Sequence, residues 1–195
     1  MHFTAFPATV DFGGSSGTSF IRQAQLRYTA PVGNGAALSF SIENAEATGF
    51  AGANDAMPDF VARYKWAANG NGLELAGLAR YLESDSDNAD DTTFAYGVMA
   101  AGRIKVTSAT TLMAGVIFGD GVGRYIFSAA DFTGGARTGQ FAGPGAAYID
   151  DNGDLETVEA LATTASIAQQ WTPKLSSSLS YGRVEGDQPS ARFPE

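Results

Sequence analysis

Between Pro58 and Leu82 the chemistry of the chain reverses at almost every residue. Phe60, Ala62, Tyr64 and Trp66 alternate with Val61, Arg63, Lys65 and Ala67. Successive side chains on a strand point to opposite faces, so this period of two predicts a strand with two unlike faces. Ala68-Asn69-Gly70-Asn71-Gly72 then supplies residues that tolerate positive φ and turns the chain. The return segment sets Leu73, Leu75, Gly77, Ala79 and Tyr81 against Glu74, Ala76, Leu78, Arg80 and Leu82. The product is a hairpin with an apolar face and a face carrying Arg63, Lys65, Glu74 and Arg80. An apolar band flanked by aromatics and backed by charge fits a strand pair of a transmembrane β-barrel. It also fits a hairpin of a soluble sandwich whose apolar face turns inward. The rest of the chain must separate the two.

Met1 to Thr18 reads as an irregular lead-in rich in Gly, Ser and Pro. A first strand is expected over Ser19 to Thr29, with Ile21, Gln23, Gln25, Arg27 and Thr29 on a polar face. Phe20, Ala24, Leu26 and Tyr28 make the other face, on which Arg22 is out of place. Pro31 to Gly35 is a tight turn, and Leu38, Phe40 and Ile42 mark a second strand. Asn44 to Met57 is a longer loop, and Glu83 to Thr92 an acidic one. A fifth strand over Thr93 to Val106 places Phe94, Tyr96, Val98 and Ile104 opposite Met99, Arg103 and Lys105. A sixth carries Leu112, Ala114, Val116 and Phe118. A long Gly-rich connection runs from Gly119 to about Leu155. Two more strands follow, near Glu156 to Gln170 and Leu175 to Val184, and the first of them has no clear outward face. Glu185 to Glu195 is a polar tail.

Loop length now discriminates. Connections are short after strands one, three, five and seven, and long after strands two, four and six. Outer-membrane barrels combine short turns on one side with long loops on the other, whereas sandwiches have no reason to. The aromatics follow the same division. Tyr28, Trp66 and Trp171 fall at the short-turn end, and Phe20, Phe60, Tyr81, Phe94, Phe118 and Tyr181 at the long-loop end, as two interfacial girdles would. The expected fold is therefore all-β, an antiparallel up-and-down transmembrane barrel of which this chain makes about eight strands in one domain.

Composition removes other classes. The 195 residues include no cysteine, which excludes a disulfide framework and cysteine-ligated metal. The one histidine, His2, lies in the lead-in, so a His-based triad or zinc site is not expected. A net charge of -9 argues against a nucleic-acid partner. No apolar run approaches the ~20 residues of a spanning helix. The opening MHFTAFPATVDF has no basic, then apolar, leader pattern, which points to a cytosolic chain or to a piece of a longer one. No nucleophile, base and orienting group stand together, so neither catalysis nor a cofactor is expected.

Four stretches carry a more specific signal: DFGG at Asp11 to Gly14, FIRQAQLRYT at Phe20 to Thr29, GDGVGRY at Gly119 to Tyr125, and WTPKLSSSLSYG at Trp171 to Gly182. With them, in this order, the chain resembles a DcaP-type porin over most of its length. The resemblance implies a bacterial outer-membrane location, contact with lipid and lipopolysaccharide, and a sixteen-stranded barrel that is a homotrimer when full-length. It also implies passage of dicarboxylates and similar anionic solutes. Family members begin with a leader and a periplasmic helical segment and continue past this C-terminus. The chain thus reads as an internal fragment of roughly eight strands that starts and ends in external loops, with Met1 aligned to a family interior. A soluble all-β ligand-binding domain is the alternative.

Two motifs have competing readings. GDGVGRY has the GxGxG spacing of a nucleotide loop, but no helical pattern follows to present an N-terminus to phosphate. A strand running into an inward-folded loop, around Arg124 to Phe132, with glycines for tight packing, accounts for it better. Asp85, Asp87, Asp90 and Asp91 could gather Ca²⁺, and so could Asp150-Asp151-Asn152-Gly153-Asp154, but neither matches an EF-hand. A solvated acidic loop and an Asn-Gly hairpin turn are the default readings, and no metal is assigned.

The candidate site is the set of bases. Arg27, Arg63, Lys65, Arg80, Arg103 and Lys105 share the polar face of four strands, and Arg124 lies in the inward loop. In a porin such lumen charges set ion preference, here toward small anions. The competing reading is that they serve in ordinary cross-strand ion pairs with Glu43, Asp59 and Glu74.

Overall fold

The computed structural model describes residues 15–45, 52–54, 57–86, 89–127 and 145–187. Its strands are β1 (Gln25–Gly33), β2 (Ala36–Glu43), β3 (Ala53–Asn54), β4 (Asp59–Ala68), β5 (Asn71–Ser86) and β6 (Ala89–Lys105). They are followed by β7 (Thr110–Asp120), β8 (Ala147–Ile149), β9 (Leu155–Thr157), β10 (Glu159–Thr172) and β11 (Leu175–Gly186). Eight of these form one antiparallel meander in the order β1-β2-β4-β5-β6-β7-β10-β11. β3 adds to β5, and β8 and β9 make a separate hairpin. Each long strand pairs with its neighbour in sequence, the simplest connectivity that hairpins can build. The sheet is not closed: β1 and β11 each pair on one side among the described residues.

Turn chemistry sets the register. Asn34-Gly35 joins β1 to β2 and Asn69-Gly70 joins β4 to β5, each with both residues at positive φ (50° and 76°, 51° and 83°). Two-residue Asn-Gly turns of this kind match the right-handed twist of the strands they connect. The register that results, for example Phe40↔Ala62, Ala62↔Gly77, Gly77↔Val98 and Val98↔Phe118, places every alternating set on one side of the sheet.

The two faces differ as the alternation predicts. Leu38, Phe40, Ile42, Phe60, Leu75, Val98, Val116 and Ile167 are exposed on the outer face, with Tyr64 half-buried among them. No second sheet packs on this face among the described residues. The opposite, inner face holds the core. Val61, Ala76, Leu78, Met99, Ala101, Ile117, Ala160 and Ala162 are buried there beneath Val122, Tyr125 and Ile126. β10, ambiguous in sequence, takes its facing from β7: Ala160, Ala162 and Thr164 oppose Gly119, Ile117 and Gly115 inside, and Leu161 and Ile167 face out.

Several expected boundaries move. The first strand starts at Gln25 rather than Ser19, because Ser19 to Ala24 leaves the sheet and crosses its inner face. Ser19 bridges to Ile126, and Asn44 N donates to Ala24 O at 2.9 Å. Phe20 therefore joins no outer girdle; it meets Phe127 edge-on at 6.2 Å. Arg22, the misfit of the alternation, lies over the Phe20 ring at 5.8 Å. The acidic segment expected as a loop is strand up to Ser86 and again from Ala89. β5 and β6 continue as a ladder through Asp85↔Asp90 and Ser86↔Ala89, braced by β3 on Glu83 and Ser84. The connection after β7 begins at Gly121, and its far part forms the β8–β9 hairpin, whose Ala147 and Leu155 are buried against Leu82 and Ala95 of the inner face. There the Asp150 carboxylate accepts from the backbone N–H groups of Asn152 and Asp154, 2.8 Å each, within the expected Asn-Gly turn. Those bonds, chiefly Asp154's, hold it below the usual carboxylate range. The part of the inward loop expected over 128–132 lies outside the described residues, as do the lead-in to residue 14 and Asp87.

Candidate pore-lining site

Gly121 to Phe127 is the hinge of the site. β7 ends at Asp120, and Gly121 takes φ +75° so that the chain can fold back over the inner face. A Cβ at Gly121 would strike the Ala95 side chain and crowd Leu82, so only glycine lets the segment lie this close to the wall. Gly123–Tyr125 makes one 3-10 turn, and Gly121 through Ile126 are all buried. No helix follows, so the GxGxG spacing builds a close turn and not a phosphate cradle.

Polar groups fasten this segment to the wall. Tyr125 donates its hydroxyl to Asp59 Oδ2 at 2.6 Å, and Arg80 Nε donates to Asp59 Oδ1 at 3.1 Å. Arg80 also donates to the carbonyls of Gly121 and Ala45, and its guanidinium sits 5.7 Å from the Tyr125 ring. Gln23 Nε2 bonds Glu43 at 2.6 Å and Tyr125 Oη at 3.0 Å, while its carbonyl accepts from Arg124 at 2.9 Å. Ser41 donates to the second oxygen of Glu43 at 2.7 Å. Burial, and after it the Asp59 carboxylate, pushes the Tyr125 phenol far above its ordinary range, so it stays a donor. The Ser15 to Ala24 segment runs beside the loop: Gly17 N donates to Phe127 O and Phe127 N to Thr18 O. Gly17 lies against Ala162 and the backbones of Thr163 and Arg183.

The bases divide into two groups. Arg27, Arg63, Lys65, Arg80, Arg103 and Lys105 all have inner-face parity in the register. Arg80 and Arg124 are buried in the network just described. Arg63 is in an ion pair with Glu74 at 2.6 Å, so the ion-pair reading holds for Arg63 and Arg80. Arg27, Arg103 and Lys105 are exposed, and Lys65 is half-buried. Arg103 Nε donates to Gly70 O at 3.1 Å, and the Lys105 chain packs on Gly70. Lys65, Arg103 and Lys105 thus gather at the short-turn end of β4 and β6, and Arg27 stands nearer mid-strand on β1. Sequence reasoning had Asp59 and Glu43 as pair partners. It missed Tyr125 and Gln23, whose contacts join residues about a hundred positions apart or bridge loop to strand.

Over 95% of its length the chain superposes on the outer-membrane channel DcaP of Acinetobacter baumannii, with a TM-score of 0.79 and 21% sequence identity. It spans half the length of that channel. No protein-family model matches the sequence, and no curated protein does. The likeness makes the open eight-stranded sheet a section of a porin-type β-barrel wall.

Proposed function

We propose that this chain is part of the wall of a bacterial outer-membrane channel through which small anionic solutes, dicarboxylates among them, diffuse. The observation that carries the reading is the contrast between faces. A single-layer sheet exposes an apolar outer surface too large to be left to water, and its inner face carries bases beneath an inward-turned segment. A soluble ligand-binding β-domain would bury the first face and has no use for the contrast. The fold shared with an outer-membrane channel supports the same placement.

In this reading the outer band meets lipid and, at the long-connection rim, lipopolysaccharide. The segments Ser15 to Ala24 and Gly121 to Phe127 narrow the passage, and Arg27, Lys65, Arg103 and Lys105 raise the local anion concentration between low-dielectric walls. The complete barrel needs strands beyond β1 and β11 and assembles as a trimer. Selection is by size and charge, with no bond made or broken and no cofactor. The test is flotation of the refolded chain with phospholipid vesicles, followed by permeability of the barrel that contains it in planar bilayers. Co-flotation and a reversal potential favouring anions are expected; a chain that stays in the aqueous layer without detergent overturns the reading.

A further inference from the structure

The described charges are sorted along the strands. On the inner face of β6, Asp91 and Lys105 stand fourteen residues apart. At ~3.4 Å per residue that is ~48 Å of strand, and a tilt of ~40° leaves ~36 Å along a barrel axis. The Asp91 end is acidic. Asp91 Oδ2 accepts from Leu155 N at 2.9 Å, which fixes the β8–β9 hairpin at this level. Ala147 and Leu155 are buried against the wall, so the alternate face of the hairpin, with Glu156, is turned toward the passage. Asp151, Asp154 and Glu156 are exposed there, and Asp150 is half-buried. Described bases near this end are engaged: Arg80 and Arg124 in the buried network, Arg183 with Glu185, and Arg22 over the Phe20 ring. The Lys105 end is basic. Arg103 is held at the turn by Gly70 O, and the Lys105 chain packs on the same glycine. Lys65 stands level with Ala101, two residues along β6 from Arg103. The carboxylate beside it, Glu74, is held by Arg63 at 2.6 Å, and that pair sums to zero charge.

We infer that this section of wall makes the passage a rectifier, one that carries ionic current more readily in one direction than in the other. The inference rests on the channel reading. An acidic zone fills with cations and a basic zone with anions. The zones are ~36 Å apart, while the Debye length is ~10 Å at 0.1 M salt, so each keeps its own ion atmosphere. Between them lies the constriction, where Asp59 is paired with Arg80. With the long-connection side positive, cations are driven in through the acidic zone and anions through the basic one. Both accumulate in the constriction, and the pore conducts. With the polarity reversed, both are drawn outward and the constriction is depleted of carriers. At equal voltage, small anions therefore pass more readily from the short-turn side to the long-connection side than the other way. Preference for one sign of ion depends on the sum of the lining charges, whereas rectification depends on their order along the axis.

The test is the current–voltage curve of the barrel that contains this section, in planar bilayers with equal potassium chloride on both sides. The chain has no cysteine of its own, so Pro173→Cys at the β10–β11 turn and a membrane-impermeant thiol reagent identify the short-turn side. At about 0.1 M salt the current should be severalfold larger with the long-connection side positive. At about 1 M, where the Debye length is ~3 Å, the two polarities should converge. Asp151→Asn with Glu156→Gln, and separately Lys65→Gln with Lys105→Gln, should each bring the low-salt ratio toward unity. Equal currents in the wild type at low salt overturn the inference. So does a ratio that neither pair of substitutions moves, or one that persists at high salt. Reversal potential under a salt gradient, taken on the same membranes, keeps the two ideas apart. An anion-favouring reversal with a symmetric current sinks the rectifier and leaves the channel standing. A barrel that inserts and carries no current sinks the channel reading and the rectifier with it.

Discussion

Tyr125 and Asp59 meet at 2.6 Å across the interior, the phenol of the inward segment donating to a carboxylate at the first residue of β4. This contact, with the Arg80 ion pair beside it, turns a glycine-rich connection into a fixed part of the inner face. Tyr125→Phe keeps the ring and its packing and removes the donor. A hydrogen bond to a charged group contributes about 1.5–3 kcal/mol. The variant should lose stability of that order and expose Arg124 to trypsin, measured by denaturant midpoint and by cleavage rate. Unchanged cleavage would mean that packing of Val122 and Ile126 alone holds the segment.

The same contact makes a pH prediction. The folded phenol is raised above its unfolded value of about 10. Its contribution is then fully present below about pH 10 and is lost only as pH climbs through the higher folded value. The difference in phenolate absorbance between wild type and Tyr125→Phe should appear only above the ordinary phenol range. A difference that develops at about pH 10 would place Tyr125 in water.

Gly121→Ala should be harsher than its size suggests. Positive φ disfavours any L side chain, and the new methyl would collide with Ala95. A loss of more than ~1 kcal/mol is expected. Thermal unfolding in micelles is the measurement, and Gly77→Ala, which meets open space, is its control.

The outer face is tested by charge. Val98 is 53% exposed near the middle of β6, between Phe118 and Gly77. On a water-facing surface Val98→Arg would change little. In a bilayer it should cost about 2–4 kcal/mol if Val98 sits near the midplane. Urea titration of the chain folded into vesicles, against the same variant in micelles, measures the difference.

How far the sequence was legible depended on contrast. The β4–β5 hairpin was readable because its faces differ sharply, Arg63 and Glu74 against Tyr64 and Leu75, and because Asn69-Gly70 allows one tight turn. β10 was not, since Ala, Ser and Thr fill both of its faces and only pairing with β7 assigns them. Ser19 to Ala24 misled because its alternation runs unbroken into β1; Arg22 on the apolar set was the sign that this segment leaves the sheet. The Asp-rich hairpin tip looked like a loop because aspartate disfavours strands. There the ladder with β3 outweighs propensity. Within the site, the bases could be read from parity, but their division into paired and exposed groups could not. Arg80 finds Asp59, and Tyr125 finds both, only when β4, β5 and the inward segment are brought together.

That division changes which charge should govern selectivity. Arg63→Glu would place a second carboxylate beside Glu74, whose side chain is 1% exposed. Breaking a buried pair costs about 3–5 kcal/mol, so this variant should fail in folding yield before it reports on ions. Arg103→Glu is different. Arg103 is exposed and gives up one hydrogen bond to Gly70 O, so the barrel should fold and its lining should change sign at one point. A tenfold fall in the anion-to-cation permeability ratio corresponds to about 1.4 kcal/mol, within reach of a charge reversal between low-dielectric walls. The measurement is reversal potential in planar bilayers, on the barrel that contains this section, at low and high salt. The shift toward cations should shrink as salt rises, because screening shortens the range of an exposed charge. A normally folded Arg103→Glu with an unchanged ratio at low salt would remove the short-turn bases from the selectivity mechanism and return that role to the constriction.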